Sequence, residues 1–309
     1  MRSATPGSTR TPRRRAAVLG HPVAHSLSPV LHTAAYRALG LDGWEYGVHD
    51  VTQDALPGFL RDVDRGWAGL SLTMPLKQVV IPLLDHVEPL AEAVGAVNTV
   101  LFSAVGGAAG GAGRTGVTTT GANTDVYGIV AALRERLGTR RVSDAVVLGG
   151  GATAASALAA VAELGCPSPQ VFVRSLDRIG PLREAVARMG VSPSFEVFDD
   201  KATTSALARA DAVVSTTPKY AADTWAPLLT DLLAAAGDQP RGVLLDVVYD
   251  PRPTALQSAW AALGAETLGG ERMLLHQAAE QVRLMTGRVA PLAAMDEALQ
   301  AALGGPGTG

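Results

Sequence analysis

The sequence predicts an α/β protein of two domains, the second a doubly wound sheet of the Rossmann type. Three observations carry that prediction. The first is the stretch 144–165, DAVVLGGGATAASALAAVAELG. A four-residue apolar strand turns there through Gly149, Gly150 and Gly151 into an Ala/Leu-rich helix that Gly165 ends. The second is the alternation of short apolar runs with helical patterns, the rhythm of helices laid on both faces of a sheet. The third is size and balance. At 309 residues, 47% hydrophobic and 18% charged, the chain has material for about two packed domains.

Taken in order, residues 16–20 form a short apolar strand. Ser28 as N-cap and Pro29 as first helical residue open a helix that Gly40 ends. A strand over 44–51, a helix over 54–65 and a strand over 69–73 follow. Pro75 starts the next helix, Pro82 and Pro89 cut the chain into short pieces, and 96–102 is a strand. Residues 103–116 are nearly all Gly, Ala, Ser and Val and read as a flexible hairpin loop between two strands. Beyond Asp125 come a helix over 126–137, the glycine turn, and strands over 170–173, 195–198, 212–214 and 243–248, with helical segments between. Two helices close the chain, 271–286 ended by Gly287, and 291–303.

Net charge is −3, and the first fifteen residues hold five arginines and no acid, which leaves −8 for the rest. That leader has no apolar run, so it reads as a disordered tail and not as a signal peptide. An acidic body gives no field for nucleic acid, which is not an expected partner. The uncharged runs 93–113 and 145–162 are broken by glycines and polar residues, so no membrane span is expected. One cysteine, Cys166, excludes an internal disulfide and suits a reducing compartment, here the cytoplasm.

The glycines spell G-x-G-x-x-A with Gly149, Gly151 and Ala154. One glycine permits the tight turn, the next lets a pyrophosphate approach the backbone, and the small third residue lets helix and strand pack closely. Gly150 completes the turn. Ala152 opens the helix, whose free N–H groups and positive dipole end face the phosphates. The end of the next strand decides between NAD and NADP, because an acid there binds the ribose hydroxyls and an arginine accepts the extra phosphate. About 25 residues past Gly149 the chain reads Val173-Arg174-Ser175, with Arg178 close behind. No acid stands at the strand end, although Asp177 is near, so the expected cofactor is NADP(H).

Four polar turns follow apolar strands in the N-terminal half. They hold Ser26 and Ser28, then Ser71, Thr73 and Lys77, then Asn98 and Thr99, then Asn123, Thr124 and Asp125. Loops after strands are where α/β sites form. Ser28 has a structural reason as a helix cap, whereas Ser26 has none. Lys77, in the first turn of a helix, meets an unfavourable dipole and needs a functional or solvated reason. His21, His25 and His32 do not make a zinc-site spacing with a nearby acid. No metal is expected, and His25 and His32 read as turn and helix-face residues.

On these residues the chain resembles the shikimate dehydrogenase family, which reduces 3-dehydroshikimate to shikimate. The resemblance runs through HSLSP (25–29), LTMPLK (72–77), VNT (97–99), NTDxxG (123–128), the glycine turn and LHQA (275–278). It implies that Ser26 and Ser28 hold the substrate carboxylate, and that Thr73, Asn98 and Gln277 hydrogen-bond the ring hydroxyls. Lys77 and Asp125 would be the catalytic pair, with Tyr249 near substrate and nicotinamide. It also implies a catalytic substrate domain over 16–124 and 267–309, its C-terminal helices returning to the first sheet, and an NADP-binding domain over 125–266. A monomer or homodimer is expected. Two departures stand out: Ser71 occupies a position where the family has Asn, and Val173 replaces the Asn of its N-R-T signature. A quinate or aminoshikimate dehydrogenase of the same family is an alternative. So is a non-catalytic ligand sensor, against which the intact Lys77 and Asp125 count.

Overall fold

The computed structural model describes residues 14–104 and 116–304. Most of the Arg-rich leader and of the Gly/Ala loop therefore lies outside the described residues. Two six-stranded sheets organise the chain.

The first sheet is built from β1 (Arg14–Gly20), β2 (Trp44–Asp50), β3 (Trp67–Leu72), β4 (His86–Val87), β5 (Thr99–Ala104) and β6 (Val117–Ala122), in the order β2-β1-β3-β5-β6-β4. Strands β1, β2 and β3 are parallel, whereas β5 runs antiparallel to both β3 and β6. Every residue of β3 is buried, as expected for a central strand covered on both faces. Helices α1 (Ser28–Ala38), α2 (Leu56–Arg61), α3 (Leu76–Val79) and α4 (Pro89–Val94) connect these strands.

Helix α5 (Asp125–Leu137) leads into the second sheet: β7 (Ala145–Leu148), β8 (Gln170–Val173), β9 (Ser194–Val197), β10 (Ala212–Ser215), β11 (Val243–Asp246) and β12 (Thr267–Leu268). Its order is β12-β11-β10-β7-β8-β9 and all its pairings are parallel. This is the doubly wound order, with the chain reversing its direction of travel between β7 and β10. Helices α6 (Ala152–Leu164), α7 (Gly180–Met189), α8 (Asp200–Arg209), α9 (Trp225–Ala236) and α10 (Ala255–Ala262) cover its faces. Helices α11 (Gly270–Thr286) and α12 (Leu292–Ala302) then return to the first sheet. There Leu275, Ala278, Val282, Met295 and Leu299 pack on Leu31 and Ala35 of α1. No described helix is long and apolar enough to cross a membrane.

Several local expectations are corrected. Strand β1 begins at Arg14, so the last two residues assigned to the tail are ordered strand: Arg14 pairs with Trp44 and Arg15 with Glu45. Ser28 is not a cap. Leu27 is the N-cap and Ser28 is the first helical residue, while the Ser26 hydroxyl accepts the Ser28 N–H at 3.3 Å. Ser26 therefore has a structural reason of its own. Helix α3 is a single turn in which Lys77 counts equally as first and last turn, so the dipole argument about Lys77 fails. Residues 96–98 are buried like a strand, yet the ladder starts only at Thr99. His32 is fully buried and not on an open helix face. Strand β12 pairs with β11, so residues 267–268 contribute to the second sheet.

Candidate active site

The sheet directions bring the four polar turns together. Strands β1, β3 and β6 end at the same edge of the first sheet, and antiparallel β5 begins there: Leu19 pairs with Leu72, Ser71 with Thr99, and Thr99 with Ala122. The segments after β1, β3 and β6 and just before β5 thus share one rim. Facing them are the C-terminal ends of β7 and β11, the rim where doubly wound sheets bind ligands. A cavity of about 290 Å³ lies between the two rims. All eight residues expected around the substrate line it: Ser26, Ser28, Thr73, Lys77, Asn98, Asp125, Tyr249 and Gln277.

Lys77 Nζ donates to Asp125 Oδ2 at 2.5 Å, and the two side chains are 14% and 5% exposed. The other carboxylate oxygen, Oδ1, accepts from Asn98 Nδ2 at 2.8 Å. Asn98 Oδ1 in turn accepts the Thr124 N–H at 2.8 Å and the Thr99 hydroxyl at 2.9 Å. Asp125 is therefore held on both oxygens, and its lysine is held at one point. Gln277 Oε1 lies 3.4 Å from Asn98 Nδ2 and from the Thr124 hydroxyl. Gly128 brings Gln277 this close. A Cβ there would stand 2.8 Å from the Met273 carbonyl oxygen and 2.9 Å from Gln277 Cβ, so only glycine lets α5 and α11 approach. Burial pushes the Tyr249 phenol above its ordinary range, so it meets the cavity as a neutral hydroxyl.

A second polar layer backs the cavity wall; Ser71 and Thr99 stand out in the sequence, whereas Tyr46 and Gln281 do not. Tyr46 donates to Ser71 Oγ at 2.6 Å, and Ser71 donates to Gln281 Oε1 at 2.7 Å. Gln281 Nε2 donates to Thr99 Oγ1 at 3.0 Å and to the Asn98 carbonyl at 3.3 Å. His32 Nε2 lies 3.2 Å from Gln281 Oε1, and its ring stacks on Tyr46 at 4.0 Å. Complete burial lowers the His32 pKa to about 3, so the ring is neutral and Nε2 is the donor. Ser71, Gln281 and His25 all line the cavity.

The opposite rim fits a dinucleotide. Gly149 takes φ +116, where an L side chain is strained, and its Cβ would meet Thr216 Oγ1. A Cβ on Gly151 would stand in open space and no side chain caps α6, which leaves the helix N–H groups for an anion. Ala152 is the first residue of α6, and Ala154 is fully buried where helix meets sheet. Gly150 packs on Val173 and Ile179. At the end of β8, Arg174 and Arg178 are exposed and neither makes an ion pair among the described residues. Ser175 Oγ accepts the Asp177 N–H at 3.3 Å, so this hydroxyl also shapes the turn.

A parallel nucleotide-type sheet set against a buried lysine–aspartate pair defines an α/β oxidoreductase. Comparison with known proteins makes the assignment particular: the chain belongs to the shikimate dehydrogenase family. Residues 18–100 match the shikimate dehydrogenase substrate binding domain, and residues 270–300 match the shikimate 5'-dehydrogenase C-terminal domain. The shikimate dehydrogenase (NADP(+)) of Geobacter sp. (strain M21) is 37% identical over 296 residues, which cover 94% of this chain and 96% of that protein. The crystal structure of Mycobacterium tuberculosis shikimate dehydrogenase is similar at 37% identity and TM-score 0.79, covering 93% of this chain and 99% of that one. The Thermus thermophilus enzyme, crystallised with NADP(H) and shikimate, is similar at 32% identity and TM-score 0.74, covering 94% and 99%.

Proposed function

We propose that this protein catalyses the reversible, NADPH-dependent reduction of 3-dehydroshikimate to shikimate, a step towards chorismate and the aromatic amino acids. The observation that carries the reading is the Lys77–Asp125 pair, buried in a cavity whose other rim ends in the glycine turn. The NADP(+) enzyme of Geobacter and the Thermus complex with NADP(H) and shikimate support the choice of substrate and cofactor.

Reducing a ketone leaves an alkoxide that needs a proton. NADPH supplies the hydride when bound along the glycine turn. Lys77 donates a proton from Nζ to the forming alkoxide, and Asp125, fixed by Asn98, orients the lysine and holds a substrate hydroxyl. Ser26 and Ser28 take the substrate carboxylate. Thr73, Asn98 and Gln277 take the ring hydroxyls, and Tyr249 donates from the cofactor side. Arg174, Ser175 and Arg178 take the 2′-phosphate, a charge-assisted contact that NAD cannot make. Gly149, Gly150, Gly151, Ala152 and Ala154 form the pyrophosphate cradle.

In this reading the first sheet with α11 and α12 is the substrate domain, and α5 to β12 is the NADP domain. The enzyme works in the cytoplasm as a monomer or homodimer. A substrate panel of shikimate, quinate and aminoshikimate, crossed with NADP and NAD, tests it. The expected outcome is the highest kcat/KM for shikimate with NADP. Preference for quinate or aminoshikimate reassigns the substrate, and no turnover of any pair leaves a ligand sensor.

A further inference from the structure

Asn123 occupies the two-residue link between β6 and α5, where the chain crosses from one sheet to the other. Its side chain is buried and fully engaged. Nδ2 donates to the Ala96 carbonyl at 2.9 Å and to Ser156 Oγ at 3.2 Å, and Oδ1 accepts the Val126 N–H at 3.2 Å. Each contact leads to a different working part. Ala96 precedes Val97, whose N–H donates to the Lys77 carbonyl at 2.8 Å, and Asn98, which holds Asp125. Val126 lies in the first turn of α5, next to Asp125 itself. Ser156 is fully buried in α6, and its hydroxyl reaches the carbonyl of Ala152, the residue that opens this helix after the glycine turn.

The surroundings are apolar. Val94, Ala96, Val126 and Ala155 belong to one buried cluster that continues beneath the second sheet. Among the described residues, Asn123 to Ser156 is the one buried side-chain hydrogen bond that ties the link after the first sheet to α6. A packed apolar contact tolerates small slips, whereas a hydrogen bond weakens steeply with distance and angle. We propose that Asn123 is a positioning residue. Through Ser156, it sets the separation between the Lys77–Asp125 pair and the start of α6, and hence between substrate and hydride donor. This rests on the oxidoreductase reading above. Hydride transfer needs reacting atoms near 3–3.5 Å, and a misplacement of about 1 Å costs on the order of a hundredfold.

Ser156→Ala is the decisive variant. It removes the arm to α6 together with the hydroxyl's own bond within that helix to the Ala152 carbonyl, suits a helix interior, and leaves Asn123 with Ala96 and Val126. The single-turnover rate of NADPH oxidation is measured with protiated NADPH and with NADPH deuterated at the transferred position, beside KM for both substrates and the melting temperature. The positioning role predicts a roughly five- to twentyfold slower hydride transfer, an altered isotope effect, KM values within about twofold, and a melting temperature within a few degrees. The combination of Asn123→Leu with Ser156→Ala should give a rate no lower than Asn123→Leu alone, because both cut the same link. If Asn123→Leu fails to fold, Ser156→Ala decides by itself. An unchanged transfer rate in Ser156→Ala, or losses that multiply in the double variant, overturns the proposal. A parent protein inactive with every member of the substrate panel overturns the functional reading instead, and is distinguishable because it appears before any variant is compared.

Discussion

Lys77 Nζ and Asp125 Oδ2 are 2.5 Å apart although 48 residues separate them in the chain. One follows β3 and the other opens α5, so the pair exists only because β3 and β6 deliver their ends to a single rim. Lys77→Met keeps most of the stem's apolar packing and removes the proton. The expected result is a fall in kcat of about 10²–10⁴ with NADP affinity unchanged. Asp125→Asn should also be impaired, and the double variant should lose less than the product of the single losses. Steady-state kinetics with a circular dichroism check on folding tests this. A kcat within a few-fold of the parent would pass the acid role to Tyr249 or water.

Arg174 predicts cofactor choice. It is exposed, and no carboxylate among the described residues neutralises it. Arg174→Ala should raise KM for NADP about ten- to a hundredfold, through loss of a charge-assisted phosphate contact. KM for NAD should change little. Equal weakening of both cofactors would show that this arginine does not read the phosphate.

Gly128→Ala probes the approach of α5 to α11. The added methyl would press on the Met273 carbonyl and on Gln277. Overpacking of this kind costs about 1–3 kcal/mol. Chemical denaturation should register that loss, and KM for the substrate should rise because Gln277 is displaced. A variant with parental stability and KM would show that the helices part without cost.

His32 predicts a pH dependence of stability. Burial lowers its folded pKa to about 3, against an ordinary value near 6.5. Between these values the unfolded chain takes up a proton that the folded one refuses. Stability is therefore complete above about pH 6.5 and falls as the pH drops towards 3, by about 1.4 kcal/mol per unit from this group. His32→Gln keeps a donor towards Gln281 and removes the titration. Urea denaturation at pH 7 and pH 5 should show a clearly shallower loss in the variant; equal losses would assign the acid sensitivity to other groups.

The polar turns could be read from the sequence because each follows or precedes an apolar strand, and the glycine turn because its strand and helix adjoin it. What could not be read depends on distant partners. Gln281 meets Ser71 across 210 residues and His32 across 249, and nothing local to α11 marks one of its glutamines as structural and the other as cavity-lining. The hairpin reading made β5 antiparallel to β6, but its antiparallel pairing with β3 escaped, since an apolar period fixes a strand but not its neighbour or direction. Ser28 shows the opposite limit. A serine before proline is a good capping signal, yet the helix starts one residue earlier and Ser28 faces the cavity.

The contacts of Gln277 reach back 179 residues to Asn98. For a chain leaving the ribosome, this fixes an order of assembly. The glycine turn and its helix have been translated by Leu164, with most of the protein's second half still to come. The substrate wall lacks Gln277 and Gln281 until α11 has emerged. The turn itself packs on Val173, Ile179 and Thr216, so the dinucleotide cradle waits for β8 and β10, and the finished pocket that directs the hydride waits longer still, for α11.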